Sequence, residues 1–240
     1  MPDKLKLYGE RHTNTNYLSK LIELNVDCEM LPGTVPRYVR TMENLLGRQW
    51  LRDAYFRATW SSNLGWKHSV VKTAPADSSI NFITLTKNPY SWLLSLHRRP
   101  YHQNYTKAPE MEEFLASPWR TVGRENASTL LANPIELWNQ KNRSYLGLPD
   151  HRSLNLTSES TLIDPVAVIE KIAAKFSYDI ARPFQNYERS TKKHADRDGD
   201  YYRDYYLNER WREELSSEAI DLINTTLDRE LMDYFGYELL

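Results

Sequence analysis

Two strand–turn–helix units constrain this chain more than any other feature of its sequence. Residues 4–8 (Lys-Leu-Lys-Leu-Tyr) alternate in polarity as a half-buried strand does, and Gly9 ends the run. A polar turn follows, Glu10-Arg11-His12-Thr13-Asn14-Thr15-Asn16, and Tyr17, Leu18, Leu21, Ile22 and Leu24 then share a helical stripe. A helix is expected to open near Thr13 or Asn14, whose side-chain oxygens can accept orphan helix N–H groups. The second unit is a strand at 81–87 (Asn-Phe-Ile-Thr-Leu-Thr-Lys), then a helix opened by Pro89 with Trp92, Leu93 and Leu96 inward. Proline is tolerated there because a first-turn N–H has no helical partner.

Weaker helical patterns lie around 42–46 and 50–55, and a short strand is expected within 66–73. Further on, 134–148 is expected to be helical, 153–157 a strand, 164–175 a helix, and 216–235 an amphipathic helix. Strands alternating with helices predict an α/β fold: a central, mainly parallel sheet flanked by helices. Such sheets bind ligands beyond the carboxyl ends of their strands, where both polar segments lie.

Composition removes several classes. The 240 residues include 7 Trp, 16 Tyr and 6 Phe, enough apolar bulk to rule out disorder for most of the chain. Basic and acidic residues nearly cancel, 31 against 32, so nucleic acid is not an expected partner and any anion must be held locally. Cys28 is the only cysteine, which excludes an internal disulfide and fits a reducing compartment. No apolar run approaches the roughly 20 residues of a membrane span. The opening residues lack the apolar core of a secretion signal, so a cytoplasmic protein is expected. The six histidines lack a paired ligand spacing, so no metal is expected. No Gly-x-Ser-x-Gly elbow marks a hydrolase.

The first turn has the makings of an anion cradle, because a strand-to-helix turn gathers free N–H groups at the positive end of the helix dipole. Thr13, Asn14, Thr15 and Asn16 add small polar side chains, and Arg11 and His12 add positive charge. A nucleotide-triphosphate loop has Gly, four residues, then Gly-Lys-Ser/Thr. Here Gly9 leads to Asn14-Thr15-Asn16, with no lysine. An N-capped turn without a ligand explains the same residue types. The second unit places Lys87 at a strand end and Ser95 eight residues on, four after Ser91. That pair can grip one phosphate, or else Lys87 is solvated and Ser95 bonds back to its own helix.

Taken with these residues, the stretches GERHTNTNYL, GWKHS and KNPYSWLLSLHRRPYH resemble a bacterial branch of the sulfotransferases that use 3′-phosphoadenosine 5′-phosphosulfate (PAPS). Weaker similarity runs through ELWNQKNRSYLGL and the segment around Asp164-Pro165, so the resemblance spans nearly the whole chain. It implies a single P-loop-like domain over 1–240, PAPS as co-substrate, no metal, and a small-molecule or glycan acceptor. Oligomeric state is left open. Carried over by position, Thr13, Asn14, Thr15 and Asn16 hold the 5′-phosphosulfate, while Lys87 and Ser95 hold the 3′-phosphate. His68 is the implied general base, Arg11 or His12 offsets charge on the leaving oxygen, and Lys192 or Lys193 closes over the nucleotide.

Three departures from the family pattern are visible. His12 stands where the loop commonly has lysine, Lys87 replaces a common arginine, and Lys72-Thr73 is followed by Ala74 rather than histidine. The alternatives are a catalytically degenerate relative that binds nucleotide or glycan, and a P-loop kinase-like enzyme. Arg98, Arg99 and His102 are expected to edge the acceptor cleft, and the tyrosines at 201, 202, 205 and 206 to form either a lid or packing.

Overall fold

The structure, a computed structural model, describes residues 4–47, 50–72, 79–103, 105, 109–187 and 199–240. The chain begins β1 (Lys4–Gly9), α1 (Thr15–Asn25), β2 (Glu29–Met30), α2 (Arg37–Leu46), α3 (Trp50–Ala58) and α4 (Trp60–Asn63). Next come β3 (Ile80–Thr86), α5 (Pro89–Arg98), α6 (Met111–Ala116), β4 (Trp119–Arg120), a 3-10 turn (Gly123–Glu125) and β5 (Leu130–Leu131). After α7 (Pro134–Leu146) and β6 (Ser153–Thr157) the remainder is helical. It comprises α8 (Ser158–Ile163), α9 (Pro165–Phe176), α10 (Gly199–Leu207), a 3-10 turn (Arg210–Glu214), α11 (Ser217–Thr226) and α12 (Arg229–Phe235).

β2, β1, β3 and β6 pair in that order, all parallel, which is the α/β arrangement the alternating pattern predicts. β4 and β5 form a separate antiparallel pair. From β1 the chain goes to β2 on one side and comes back as β3 on the other, so the strand order reverses between β1 and β3. Open α/β sheets place their ligands at such a switch point. Lys4 lies opposite Ile80 and Gly9 opposite Leu85, so the two strands run out side by side. The turn before α1 and the turn before α5 therefore leave the sheet as neighbours.

One face of the sheet is mainly apolar: Leu5, Leu7, Ile83, Leu85 and Leu156 pack beneath α1 and α9, with Asn81 at its margin donating to the Tyr178 hydroxyl at 2.8 Å. The other face carries Tyr8 and Phe82 against Leu31, Leu64, Tyr145 and Leu148. Lys6 shares this second face and is fully buried, which the alternation in 4–8 leaves open. Residues 63–65 cover it, and its Nζ donates to the carbonyls of Pro32 at 3.0 Å, Gly65 at 2.6 Å and Asn63. Burial, with a smaller push from the charge on Lys67, brings its pKa down to about 7. Behind the sheet, α5, α7 and α11 join Tyr90, Trp92, Trp138 and Trp211 into the largest apolar cluster.

Two expected elements differ. No strand forms over 66–72; the segment is irregular and is tied to its neighbours by single bonds, Gly9 N–H to Lys67 O and Val70 N–H to Glu125 O. Isolated pairings of this kind replace a ladder because the segment crosses over the end of β1 instead of running beside it. The expected helix over 216–235 is two helices, because the Asp228 side chain accepts from Leu231 N–H and starts α12 afresh. Among the described residues no helix is long and apolar enough to cross a membrane.

Replacing Lys6 with methionine removes the donor to two buried carbonyls, Asn63 and Gly65, and to the partly exposed one of Pro32. Each orphaned buried group costs about 1–3 kcal/mol, so Lys6→Met should lose roughly 2 kcal/mol or more in urea denaturation. A loss under about 1 kcal/mol would mean that water reaches those carbonyls.

Candidate functional site

Gly9 stands where β1, β3 and α1 come closest. A Cβ there would lie 2.8 Å from the Leu85 carbonyl oxygen and 2.6 Å from Thr15 Cγ2, so only glycine lets the turn begin at this point. His12 and Asn14 both adopt left-handed backbone, with φ of 68° and 62°. For residues with a Cβ this conformation is strained, and two in one turn curl the chain tightly ahead of the helix.

α1 starts at Thr15, a residue or two later than expected, and no side chain caps it. The Thr13 hydroxyl donates to Glu10 O at 2.6 Å, and Asn14 Nδ2 donates to Ser158 Oγ at 2.8 Å. Capping therefore does not explain these residue types, and the first-turn N–H groups of α1 are left to another acceptor.

Lys87 follows β3 directly and is 1% exposed, where a solvated strand end was the alternative. Its Nζ donates to Ser95 Oγ at 3.2 Å and lies 3.7 Å from the centre of the Tyr206 ring. Ser95 Oγ in turn donates to Ser91 O at 2.9 Å, so back-bonding to the helix and pairing with lysine coexist. No carboxylate pairs with this ammonium among the described residues. A buried ion costs several kcal/mol unless paired, and one hydroxyl and one ring offset only part of that. The arrangement is a fixed positive charge suited to an incoming anion.

The two turns are held to each other through the start of α8. Ser158 accepts from Asn14, and the next residue, Glu159, accepts from Asn88 N–H at 3.1 Å and from Tyr237 O–H at 2.9 Å. Indole donors fix the turn carbonyls from behind: Trp92 Nε1 binds Arg11 O at 2.9 Å and Trp138 Nε1 binds Lys87 O at 3.0 Å.

His68 sits against the end of β1, with Nδ1 bonded to the Gly9 carbonyl and its ring edge-on to Trp66 at 5.0 Å. A carbonyl only accepts, so Nδ1 carries the proton and Nε2 presents a lone pair. Burial, then the charges of Lys67 and Arg11, hold its pKa well below the usual 6.5. The imidazole is neutral at pH 7, with Nε2 as an acceptor. Lys67, which the sequence reading passed over, donates to Asn16 Oδ1 at 2.6 Å, and burial brings it down to about 8.

Arg11 is sandwiched between Trp66 and Tyr101, its guanidinium 4.6 and 4.5 Å from the ring centres. It bonds Glu125 at 3.0 Å and His102 Nε2 at 2.6 Å. Glu125 lies 3.8 Å from Lys141, which also pairs with Glu10. Arg124 stacks on the other reach of Trp66 at 4.8 Å and pairs with Asp53 at 2.8 Å. Burial and the nearby guanidiniums of Arg11, Arg124 and Arg52 push His102 down to about 3. This buried charged cluster escaped the sequence reading, apart from Arg11 and His102. Lys141 alone left a trace, since it falls on the helical stripe of Leu137, Trp138 and Tyr145.

Of the remaining candidates, His12 lies 5.1 Å from the Tyr101 ring, and Thr15 is buried at the start of α1. Arg98 turns instead to Glu214 and Tyr205, away from His102. Lys192, Lys193, Thr73 and Ala74 lie outside the described residues. Among the described residues no cluster of His, Cys, Asp or Glu is arranged to hold a metal ion.

No family model matches the chain, and no curated protein does. Among solved structures, it is similar to a sulfotransferase domain from the curacin biosynthetic pathway, at 11% identity and TM-score 0.42, covering 100% of this chain and 99% of that one. It is also similar to the sulfotransferase domain of the Synechococcus PCC 7002 olefin synthase, at 15% identity and TM-score 0.47, covering 100% and 96%. A mouse sulfotransferase, SULT7A1, complexed with PAP matches at 13% identity and TM-score 0.48, covering 97% and 89%. At these identities the functional reading rests on the chain's own residues.

The neutral His68 makes the fold sensitive to acid. Its folded pKa is depressed, so below the unfolded value of 6.5 the unfolded chain binds a proton that the native state refuses. Stability should be level in this respect above pH 7 and fall as pH drops through 6.5. Urea midpoints at pH 7.5, 6.5 and 5.5 should show the decline, and His68→Gln should make it shallower, the remainder belonging to His102, which is likewise held neutral. An unchanged slope in that variant would assign the acid sensitivity to other groups.

Proposed function

We propose that the chain is a PAPS-dependent sulfotransferase acting on a hydroxyl or amine of a small-molecule or glycan acceptor. The observation that carries this reading is Lys87: a buried ammonium with Ser95 beside it and no carboxylate among the described residues, one strand away from an uncapped helix N-terminus. Two anion sites flanking a switch point suit a ligand with phosphates at both ends of a nucleoside, as in 3′-phosphoadenosine 5′-phosphosulfate. Lys87 and Ser95 take the 3′-phosphate. The N–H groups opening α1, with Thr13, Asn14, Thr15 and Asn16, take the 5′-phosphosulfate, and Lys67 adds charge at Asn16. Lys192 belongs to the same reading as the cation that closes over the nucleotide.

PAPS supplies the sulfuryl group. The acceptor oxygen or nitrogen forms a bond to sulfur as the bond from sulfur to the phosphate oxygen breaks, and PAP leaves. His68 Nε2 takes the acceptor's proton, a task worth about 10²–10⁴-fold. Sulfuryl transfer resembles phosphoryl transfer in needing positioning and charge stabilisation more than covalent chemistry. Arg11 and His12 are the remaining charge donors of the loop. With Arg11 bonded to Glu125 and His102, it acts by holding the turn's shape and adding positive potential. His12 in place of a loop lysine favours, as the second reading, a relative that binds the nucleotide without turnover.

Thermal-shift titration separates these readings. PAP in hundredfold excess over its dissociation constant should add about 2.7 kcal/mol, and Lys87→Ala should abolish most of that gain. Preference for ATP with magnesium would instead point to a kinase-like enzyme. Transfer to a screened acceptor should fall at least about 100-fold in His68→Ala. PAP binding without transfer to any acceptor would leave the binding-only relative standing.

A further inference from the structure

On α2 and α3, whose buried sides pack on Trp66, the outer surface carries an apolar patch that the proposed reaction does not use. Tyr38, Met42, Leu45, Leu46 and Trp50 are 63, 51, 83, 52 and 55% exposed, and all fall within thirteen residues of sequence. Isolated exposed apolar residues are ordinary, but a contiguous group marks an interaction site. Tyr38, Met42 and Leu45 share one helical stripe of α2, and the exposed residues Arg37, Arg40 and Asn44 occupy the stripe beside it. The patch continues into a groove of about 280 Å³ between the two helices, lined by Val39, Met42, Leu51, Ala54, Tyr55 and Ala58.

The charge of this surface is one-sided. Both acidic residues of the two helices are taken up internally, Glu43 by Arg52 and Asp53 by Arg124. Arg37, Arg40 and Arg57 remain exposed with no acidic partner among the described residues. The surface thus combines exposed leucine and methionine, ring side chains at its ends, and unpaired arginine.

We propose that this face docks on a bilayer surface carrying anionic headgroups. A short helix with an apolar stripe and a basic stripe lies in the membrane interface, its apolar side among acyl chains and its arginines at the headgroups. Tyrosine and tryptophan prefer the same depth. An anionic bilayer satisfies both halves of the surface at once, and the groove accepts acyl-chain carbon where a soluble anion offers none. An acidic protein partner would meet the arginines, but it would also have to supply a matching apolar ridge. The proposal is independent of the reaction assigned above.

The test is flotation of the full chain with vesicles of phosphatidylcholine alone and of phosphatidylcholine with phosphatidylglycerol. Binding is expected to the anionic vesicles and to weaken with added salt. Leu45→Glu with Trp50→Glu, and separately Arg37→Glu with Arg40→Glu, should each reduce it roughly tenfold or more. These residues are exposed, and unchanged circular dichroism spectra and PAP thermal shifts identify variants that still fold. No flotation, equal flotation with neutral vesicles, or flotation unaffected by either pair would overturn the proposal. Light scattering on the same samples covers a second copy of the chain: self-association abolished by Leu45→Glu with Trp50→Glu, without vesicle binding, would also overturn it.

Discussion

The close approach of β1, β3 and α1 at Gly9 is the constraint on which the rest of the site depends. Parallel pairing in register brings the ends of β1 and β3 level, and the missing Cβ lets α1 begin against them. Everything with chemical potential follows from that junction. The uncapped N–H groups stand at the end of one strand, Lys87 at the end of the other, and His68 is fixed to the carbonyl of Gly9 itself. A larger residue would push α1 off the sheet and move all three at once.

Around this junction the protein buries several charged side chains. Among the described residues Lys6 and Lys87 lie within the fold without carboxylates, while Arg11, Glu125, Lys141 and Glu10 form a connected chain of ion pairs. The two groups do different work. Lys6 answers three carbonyls and is a structural tie, whereas Lys87 meets, among the described residues, a hydroxyl and a ring. The network holds Arg11 in the first turn against Trp66 and Tyr101, so the turn that curls through His12 and Asn14 is braced from outside. Buried pairs of this kind add little net stability, because desolvation consumes most of the Coulomb gain.

The mainly parallel sheet and the helices that flank it were legible because apolar period and turn chemistry agree along 4–25, 80–98 and 134–176, whereas the strand order was not. The boundary inside the last amphipathic stretch was missed because Asp228 breaks the helix from within an unbroken apolar stripe. The burial of Lys6 was not legible, because alternation reports which side chains share a face and says nothing of whether another segment covers it. His68, Lys87 and Ser95 were visible as chemistry-bearing residues at strand ends and helix spacing. Arg124, Glu125 and Glu10 were not, since a charged residue buried by a distant partner has the same local pattern as one in water. Lys141 is the exception, a charge on an apolar stripe, and that mismatch is the mark by which buried ionic groups can be found in sequence.

The ion-pair chain also limits how this protein can change by mutation. Replacing any one member of Arg11, Glu125, Lys141 and Glu10 strands a partner in a place water does not reach, at a cost of about 3–5 kcal/mol, comparable to much of a domain's margin. Replacing all of them together by apolar residues could be neutral, but the route there passes through unstable intermediates. Drift on this side of the molecule is therefore channelled outward. The floor of the site is locked, and variation accumulates in the surface loops and helices that surround it.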